Sequence, residues 1–452
     1  MNLRDSLLLT CAGITLLSGC GSSSDSASDT YPNAYIQFYN VSPDSPEVHL
    51  MVDDASISSS SYGDVTALYS YDADSYDIGL SWYDSDGQEY SITESEMQLD
   101  SSYKTIMLLG GDFETPDVVE FAFQRSELED EFYLYAMMGA ADLGNYDLYM
   151  AESGVPFEDA NYIANLSYLQ PEKVGYWEPE DDDFAWPTED YKIFLVDPDS
   201  GEMVFESQEL VFNYASDYLL SVRKTSGANE NNIVVDIILN STNISAEQDI
   251  AATAQYRVYS AMQESVELTV IVDDADEQFT TVVEGGELSA YTSVEFGDYQ
   301  ISASSTEGDY SFDGRLMTLN QGESKTIVMF EDADVGLTSL TLDDSNLPQD
   351  FEHQVAVANL LPEFSNLDVY FVRDDETKDS ADHFMTGLDY ADSRTITVPN
   401  DYYSIVVVYE DNLGIESLLY RSELISFNED AVYLITIEPE QQTGGYQVNV
   451  SW

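Results

Sequence analysis

The chain has almost none of the residues that most often carry chemistry. Its 452 residues include only two cysteines, Cys11 and Cys20, and three histidines. Both cysteines lie near the start, so a chain cleaved just before Cys20 would have no second cysteine with which to form an intrachain disulfide. The sequence also has too few Cys and His residues for zinc sites or for nucleophilic Ser-His-Asp and Cys-His sites. We therefore predict no catalytic residue, no metal site and no cofactor, and a protein that is not an enzyme.

Basic residues are scarce as well. The sequence has 14 Lys and Arg against 87 Asp and Glu, which gives a formal net charge of −73 at pH 7. So negative a field repels nucleic acid and anionic lipid, which makes both poor partners. The acidic residues are spread along the whole chain, as on the surfaces of salt-adapted proteins. Because like charges on a compact surface repel each other, we expect thermal stability to rise with salt concentration.

Long apolar runs with a helical period are missing too. The apolar residues instead fall in short runs rich in β-branched and aromatic side chains, such as Ala34–Tyr39, Tyr256–Tyr259 and Ile405–Tyr409. Clusters of Gly, Asp, Asn and Pro bound these runs, as they bound strands. Apolar residues make up 43% of the sequence, which is enough to build hydrophobic cores. The pattern predicts an all-β protein.

Internal repeats organise these strands. Leu50–Ala55 recurs as Val270–Ala275, and two fainter copies start near Asp147 and Asp368. Each of the four copies then has a Tyr-x-Ile motif, an apolar residue followed by Asp or Asn, and a strand that begins four or five residues later. The Tyr-x-Ile motifs start at Tyr76, Tyr191, Tyr299 and Tyr403. The apolar-Asp/Asn pairs are Leu99-Asp100, Phe212-Asn213, Leu319-Asn320 and Phe427-Asn428. The strands that follow begin at Lys104, Tyr218, Lys325 and Tyr433.

A repeat of about 100 residues with some seven short strands has the size and spacing of a β-sandwich. Each repeat is large enough to form its own hydrophobic core, so we expect four separate domains. The predicted domains are 33–128, 129–243, 250–345 and 350–452, and the second carries an acidic insertion at 178–183.

The start of the chain has the layout of an export signal. Arg4 precedes a short apolar stretch that ends in Leu17-Ser18-Gly19-Cys20, and this stretch is too short to span a bilayer. The four residues resemble the lipobox of bacterial lipoproteins. The resemblance implies a signal peptide over 1–19 and acylation of Cys20, for instance with palmitate, which would anchor the protein to a membrane. An ordinary cleaved signal and free secretion is the alternative.

The segment after Cys20 is rich in serine and has nothing to bury, so we predict a flexible tether over 20–32. Gly21 follows the cysteine, where the lipoprotein resemblance would place an Asp for retention at the inner membrane. The expected location is therefore the cell envelope, at the outer membrane.

The first repeat carries a second resemblance. Ala34–Asp53, with Ser42-Pro43-Asp44-Ser45-Pro46 at its centre, resembles the opening of the DUF4397 family of bacterial extracellular domains. The third repeat resembles it as strongly, the fourth moderately and the second weakly. The resemblance implies immunoglobulin-like or prealbumin-like sandwiches on an exported protein, and it brings no catalytic residue.

A few residues remain as candidates for binding. His49 is expected on a strand surface and His383 in a loop, and neither is expected to bind a metal. Three turns have the oxygen-rich spacing of weak calcium sites or of ordinary hairpins: Asp84–Gly87, Asp197–Glu202 and Asp332–Asp334. Trp177 and Trp186 flank the acidic insertion, where either structural packing or a sugar- or partner-binding face is possible.

These observations favour a tethered surface binding or adhesion module whose ligand is a protein or a glycan. A structural envelope or calcium-binding protein is the alternative, and an enzyme is a third class.

Overall fold

Two β-sheets packed face to face form each of the four repeats. The computed structural model describes residues 33–452 except 85, 127, 179–183, 231, 241–243, 263–264, 273–277, 307–308, 412 and 441–443. Within this part of the chain the secondary structure is almost entirely strands, with three short 3₁₀-helices at Phe157–Asp159, Gly227–Asn229 and Lys378–Ser380. The predicted all-β class and the tandem sandwiches are confirmed.

Repeat 1 shows the plan that the other repeats follow. One sheet has the order β4-β1-β8-β9, with β5 also on β1, and the other has the order β3-β2-β6-β7. Strand β1 runs parallel to β8, whereas every other pair in this repeat is antiparallel. The strands are β1 Ala34–Asn40, β2 Val48–Val52, β3 Ala55–Ser60, β4 Asp64–Val65, β5 Tyr69–Tyr71, β6 Ser75–Tyr83, β7 Glu89–Gln98, β8 Tyr103–Gly110 and β9 Asp117–Gln124.

Repeat 2 keeps this plan and adds short strands at its edges. Its sheets have the orders β13-β10-β18-β19-β20, with β14 on β10, and β12-β11-β15-β16, with β17 on β15. Because β20 pairs with β19, the first of these sheets extends to Gln248. The strands are β10 Glu131–Met138, β11 Asp147–Glu152, β12 Asn161–Asn165, β13 Glu172–Val174, β14 Trp186–Pro187, β15 Asp190–Val196, β16 Met203–Glu206, β17 Leu210–Val211, β18 Asp217–Lys224, β19 Ile233–Ile238 and β20 Ser245–Gln248.

Repeat 3 is the plainest copy, with the sheets β24-β21-β27-β28 and β23-β22-β25-β26. Its strands are β21 Ala254–Ser260, β22 Val266–Val272, β23 Gln278–Val283, β24 Thr292–Val294, β25 Gly297–Ser305, β26 Ser311–Leu319, β27 Ser324–Asp332 and β28 Gly336–Asp343.

Repeat 4 has the sheets β32-β29-β36-β37 and β31-β30-β33-β34, with β35 on β33. Its strands are β29 Glu352–Asn359, β30 Leu367–Val372, β31 His383–Leu388, β32 Asp392–Pro399, β33 Asp401–Glu410, β34 Glu416–Arg421, β35 Ile425–Phe427, β36 Leu434–Glu440 and β37 Gly445–Ser451. The described residues thus hold eight to eleven strands in each repeat, more than the expected seven, because short edge strands extend the sheets. The domain boundaries predicted from the sequence remain a proposal.

The Tyr-x-Ile landmark builds the same device in all four repeats. Since side chains two residues apart share one face of a strand, the isoleucine enters the core together with its tyrosine. Each tyrosine hydroxyl then donates to the backbone carbonyl four residues upstream, which is the tyrosine corner of immunoglobulin-like sandwiches. The pairs are Tyr76 with Asp72 (3.1 Å), Tyr191 with Pro187 (3.0 Å), Tyr299 with Glu295, and Tyr403 with Pro399 (3.1 Å).

Repeats 1 and 2 share buried apolar surface, and so do repeats 3 and 4, so the expectation of four separate domains is wrong. The sheets that contain β1 and β10 pack together through Tyr39, Ile106 and Leu108 of repeat 1 and Tyr135 and Met137 of repeat 2. We call this contact the 1–2 junction.

Repeats 3 and 4 pack in the corresponding way. Tyr259 and Val328 of repeat 3 lie against Ala358 and Leu434 of repeat 4, which defines the 3–4 junction. Repeats 2 and 3 are joined mainly by polar contacts, such as the bond from the Asn229 amide to the Gly322 carbonyl (2.9 Å).

Repeat 1 also contacts repeat 4, about 300 residues further along the chain. Phe351, just before β29, packs against Trp82 and Phe113 of repeat 1, with ring centroids 5.7 and 5.2 Å away. Beside this aromatic cluster, Arg373 pairs with Asp86 at 3.2 Å. We call this contact the 1–4 junction.

Candidate functional site

The predicted lipidation site and the tether lie outside the described residues. Cys20 and the whole of 20–32 belong to that undescribed part, so acylation remains a prediction. The structure shows no helix, among the residues that it describes, with the length and apolarity needed to cross a membrane.

The histidines occupy three different settings. His49 lies half-buried on β2, where a ring nitrogen is 2.9 Å from the Ser56 hydroxyl, in keeping with the expected strand surface. His353 is fully buried on β29, and its Nε2 is 2.6 Å from Oδ1 of Asn400. His383 begins strand β31, so the loop predicted for it is wrong. Burial lowers the pKa of His353 and of His383, which favours the neutral imidazole at both positions.

The three oxygen-rich turns are hairpin turns whose first carboxylate caps the backbone. Oδ1 of Asp84 accepts the N–H groups of Asp86 and Gln88 at 3.0 and 2.9 Å. Asp197 and Asp332 each bind two following N–H groups in the same manner. These bonds are ordinary turn chemistry. Across the described residues, no group of three or more His, Cys, Asp or Glu side chains is arranged to hold a metal ion.

The two tryptophans beside the acidic insertion belong to the packing of repeat 2. Trp186 is fully buried in the core, and its indole N–H donates to the Val174 carbonyl at 2.9 Å. Trp177 lies edge-on to Trp186 with ring centroids 5.4 Å apart. The geometry therefore supports structural packing over a sugar-binding face. Most of the insertion, 179–183, lies outside the described residues.

Repeats 1 and 4 form a concave cleft at the 1–4 junction. Its volume is about 370 Å³, which falls in the range of small-molecule and side-chain pockets. Both repeats and the segment that connects repeats 3 and 4 contribute to its walls. The lining residues are Ser45, Pro46, Glu47, Ser61, Tyr62, Leu347, Pro348, Glu352, Gln354, His383, Thr397 and Pro399.

Two carboxylates from different repeats dominate the charge of this cleft. Glu47 is exposed, and its Oε1 accepts a hydrogen bond from Ser59 at 2.5 Å. Glu352 is half-buried at the start of β29, and its pKa is raised by burial first and by the charge of Glu47 second. No Lys, Arg or His among the described residues forms an ion pair with either carboxylate. The cleft therefore lacks the cation that would neutralise it.

The remaining walls mix polar and apolar side chains. Pro46, Pro348 and Pro399 come from three separate segments, and the buried Tyr62 closes one side. The side chains of Lys and Arg have a long aliphatic stem and a charged end. The stem can lie along the prolines while the charged end reaches the carboxylates. This arrangement can bind a protonated amine or a guanidinium group. It supplies no nucleophile paired with a base.

Sequence reasoning missed this cleft. Its two carboxylates are about 300 positions apart, and neither belongs to a motif. The one available signal was Glu47 next to the Pro46 of the Ser-Pro-Asp-Ser-Pro segment, which places a charge on a rigid loop.

A comparison with known protein families finds one matching segment. Residues 254–370 match the sequence model of a domain of unknown function, DUF4397. The match spans repeat 3 and the first part of repeat 4. No curated protein sequence matches the chain significantly.

Two solved structures align with part of the chain. One is described as a candidate cell adhesion protein of Bacteroides ovatus, with 7% identity, a TM-score of 0.20, and coverage of 48% of this chain and 97% of the other. The second carries the same description, from Bacteroides fragilis, with 13% identity, a TM-score of 0.11, and coverage of 42% and 84%. Such TM-scores are too low to establish a common fold. What the comparisons do show is that residues 254–370 of this chain match the DUF4397 family.

Proposed function

We propose that this chain is a lipid-anchored, non-enzymatic binding module of the cell envelope that takes a basic side chain of a partner protein into the 1–4 cleft. The observation that carries the proposal is the pair of carboxylates, Glu47 and Glu352, with no cation between them in a proline-lined cleft. An incoming ammonium or guanidinium group forms charge-assisted hydrogen bonds there, which are about twice as strong as neutral ones.

The rest of the molecule suits display of this cleft. Acylation of Cys20 attaches the chain to a membrane, expected to be the outer membrane, and the serine-rich 20–32 segment lets the folded part stand away from the lipid. Four sandwiches without a reactive constellation serve binding better than catalysis. The strongly negative surface attracts basic partners over a distance and repels nucleic acid.

Binding is tested with single basic residues, because a polycation would bind any surface this acidic. Titration of the full chain with blocked lysine and blocked arginine is compared between wild type, Glu352→Gln and Glu331→Gln. Glu331 is exposed on β27, so its variant carries the same charge change away from the cleft. Loss of a hydrogen bond to a charged group costs about 1.5–3 kcal/mol, so Glu352→Gln weakens binding about tenfold or more.

Glu331→Gln leaves the affinity within about twofold of wild type if the cleft is the site, since exposed charges contribute little. Equal weakening in both variants would show general charge attraction and contradict the site. Binding of neutral oligosaccharides but not of the blocked amino acids would replace the protein partner with a glycan.

Anchoring is tested separately with Cys20→Ser. Wild type incorporates labelled palmitate and sediments with the outer-membrane fraction, whereas the variant takes up no label and is recovered in the soluble fraction. Retention of the variant in the membrane fraction would contradict the anchor without affecting the cleft.

A further inference from the structure

One buried lysine lies beside a side-chain amide at the 1–2 junction. Lys104, on β8 of repeat 1, is only 2% exposed. Its Nζ donates to Oδ1 of Asn240 and to the backbone carbonyl of Leu239, both at 3.0 Å and both in the segment that follows β19 of repeat 2. The ring centroid of Phe123 is 5.8 Å from the same nitrogen. The amine is thus held against one amide group in surroundings from which water is largely excluded.

The amide is held in place from its other end. Nδ2 of Asn240 donates to the Ser216 hydroxyl at 3.1 Å, so the side chain presents its carbonyl end to Lys104. Cγ, the atom that Nζ would attack, is bonded directly to Oδ1, so this contact holds the amine next to the amide carbonyl. Reacting groups held side by side react far faster than the same groups free in solution.

A carboxyl group without a hydrogen-bond partner on one oxygen accompanies the pair. Asp217, at the start of β18, is 4% exposed, and its Oδ1 has no hydrogen-bond partner. Burial raises the pKa of Asp217 to about 6 and lowers the pKa of Lys104 to about 7. Each group also acts on the other through its charge. Burial thus favours the neutral form of both groups, which are an amine that can act as a nucleophile and a carboxyl that can carry a proton.

We propose that Lys104 and Asn240 form an intramolecular isopeptide bond that ties repeat 1 to repeat 2. The neutral Nζ attacks Cγ of Asn240, the Cγ–Nδ2 bond breaks, and ammonia leaves. The proton lost by Nζ passes through the Asp217 carboxyl to the departing nitrogen, so Asp217 ends unchanged. Lysine amine plus asparagine amide gives a secondary amide plus ammonia, and no oxidant or further reactant is required.

The corresponding lysine of repeat 3 lacks this setting. Lys325 occupies the same landmark, but its Nζ pairs with Asp343 at 2.8 Å and with Glu323 at 3.1 Å. These ion pairs raise the pKa of Lys325, in spite of its partial burial, and keep the amine charged. Lys325→Arg is therefore a matched control for Lys104→Arg.

The experiment is peptide mass spectrometry on the purified full chain. After denaturation, a protease that cuts after Asp and Glu releases residues 101–112, which contain Lys104, and 237–247, which contain Asn240. The proposal expects one branched species whose mass is the sum of the two peptides less about 17 Da, the mass of the departing ammonia. Fragmentation should place the branch at Lys104 and Asn240.

Two unmodified linear peptides from folded wild-type protein would overturn the proposal. Lys104→Arg and Asn240→Ala should each give only linear peptides, whereas Lys325→Arg should give the branched species as wild type does. In Asp217→Asn the branched fraction should fall at least tenfold at equal incubation. If it does not fall, Asp217 is not the proton carrier, and that step of the proposal is refuted.

Discussion

The hydrogen-bond network at the centre of the 1–2 junction gives the sharpest prediction for stability. Asp236 of repeat 2 is fully buried. It accepts bonds from Arg223 Nε at 2.6 Å, from Arg223 Nη2 at 3.1 Å, and from the hydroxyl of Tyr39 in repeat 1 at 2.7 Å. Asp236→Asn keeps the shape of the side chain but leaves the Arg223 guanidinium buried without its counter-charge.

The cost of that change is set by the unpaired charge. Removing one partner of a buried ion pair destabilises a protein by about 3–5 kcal/mol. Tyr39→Phe removes only one bond to a charged acceptor and should cost about 1.5–3 kcal/mol. Because the two side chains act on the same carboxylate, the double variant should cost less than the sum of the single variants.

Urea unfolding and hydrogen exchange at β8 and β19 measure these changes. Tyr259→Phe is the matched control, because it removes the equivalent bond to Glu438 at the 3–4 junction and should leave exchange at β8 and β19 unchanged. A cost below about 1 kcal/mol for Asp236→Asn, or full additivity with Tyr39→Phe, would refute the reasoning.

Three further predictions concern charge and backbone geometry. Raising NaCl from millimolar to molar should raise the melting temperature, because screening relieves the repulsion within a surface of net charge −73; a flat or falling curve in differential scanning calorimetry contradicts this. A carboxyl whose folded pKa is raised costs stability above that pKa. Since the pKa of Asp217 is raised to about 6, stability should therefore increase as pH falls from 7 to 5, and Asp217→Asn should flatten this dependence in thermal melts. Gly63→Ala should destabilise the 1–2 junction more than Gly87→Ala destabilises its hairpin. Both glycines have φ near +70°, so the backbone strain is the same. A Cβ on Gly63 would lie 2.5 Å from Cζ of Arg223, whereas a Cβ on Gly87 would face open space. If urea unfolding gives the same loss of stability for both variants, the strained backbone alone accounts for the effect and the contact with Arg223 does not contribute.

The sandwiches were predictable because local chemistry specifies them. The Tyr-x-Ile landmark marks a strand whose tyrosine reaches back to the chain before it, and that signal needs no knowledge of distant residues. The junctions were harder to predict, although β8 carried a hint. Its run Ile106–Leu109 is apolar at every position and buried on both faces, as expected of a strand covered on two sides. A strand with one face in solvent would instead alternate apolar and polar residues.

The 1–4 cleft and the Lys104–Asn240 contact could not be predicted from sequence patterns. Both depend on how whole repeats pack, which brings together residues 136 or more positions apart. His383 shows the same limit at short range. The sequence favoured a loop at His383, but pairing with Phe371 makes His383 the first residue of a strand.

Three of the few basic residues form ion pairs at or beside the junctions between repeats. Arg223 pairs with Asp236 at the 1–2 junction, Arg257 lies 3.6 Å from Asp344 beside the 3–4 junction, and Arg373 pairs with Asp86 at the 1–4 junction.

The first two of these ion pairs are buried, whereas the side chain of Asp86 is 81% exposed. Salt screens exposed pairs strongly and buried pairs little. Molar salt should therefore relieve the repulsion between the many surface carboxylates while leaving the 1–2 and 3–4 junctions intact. Of these three pairs, molar salt should weaken only Arg373–Asp86, so that the cost of Asp86→Asn disappears at high salt while the cost of Asp236→Asn persists.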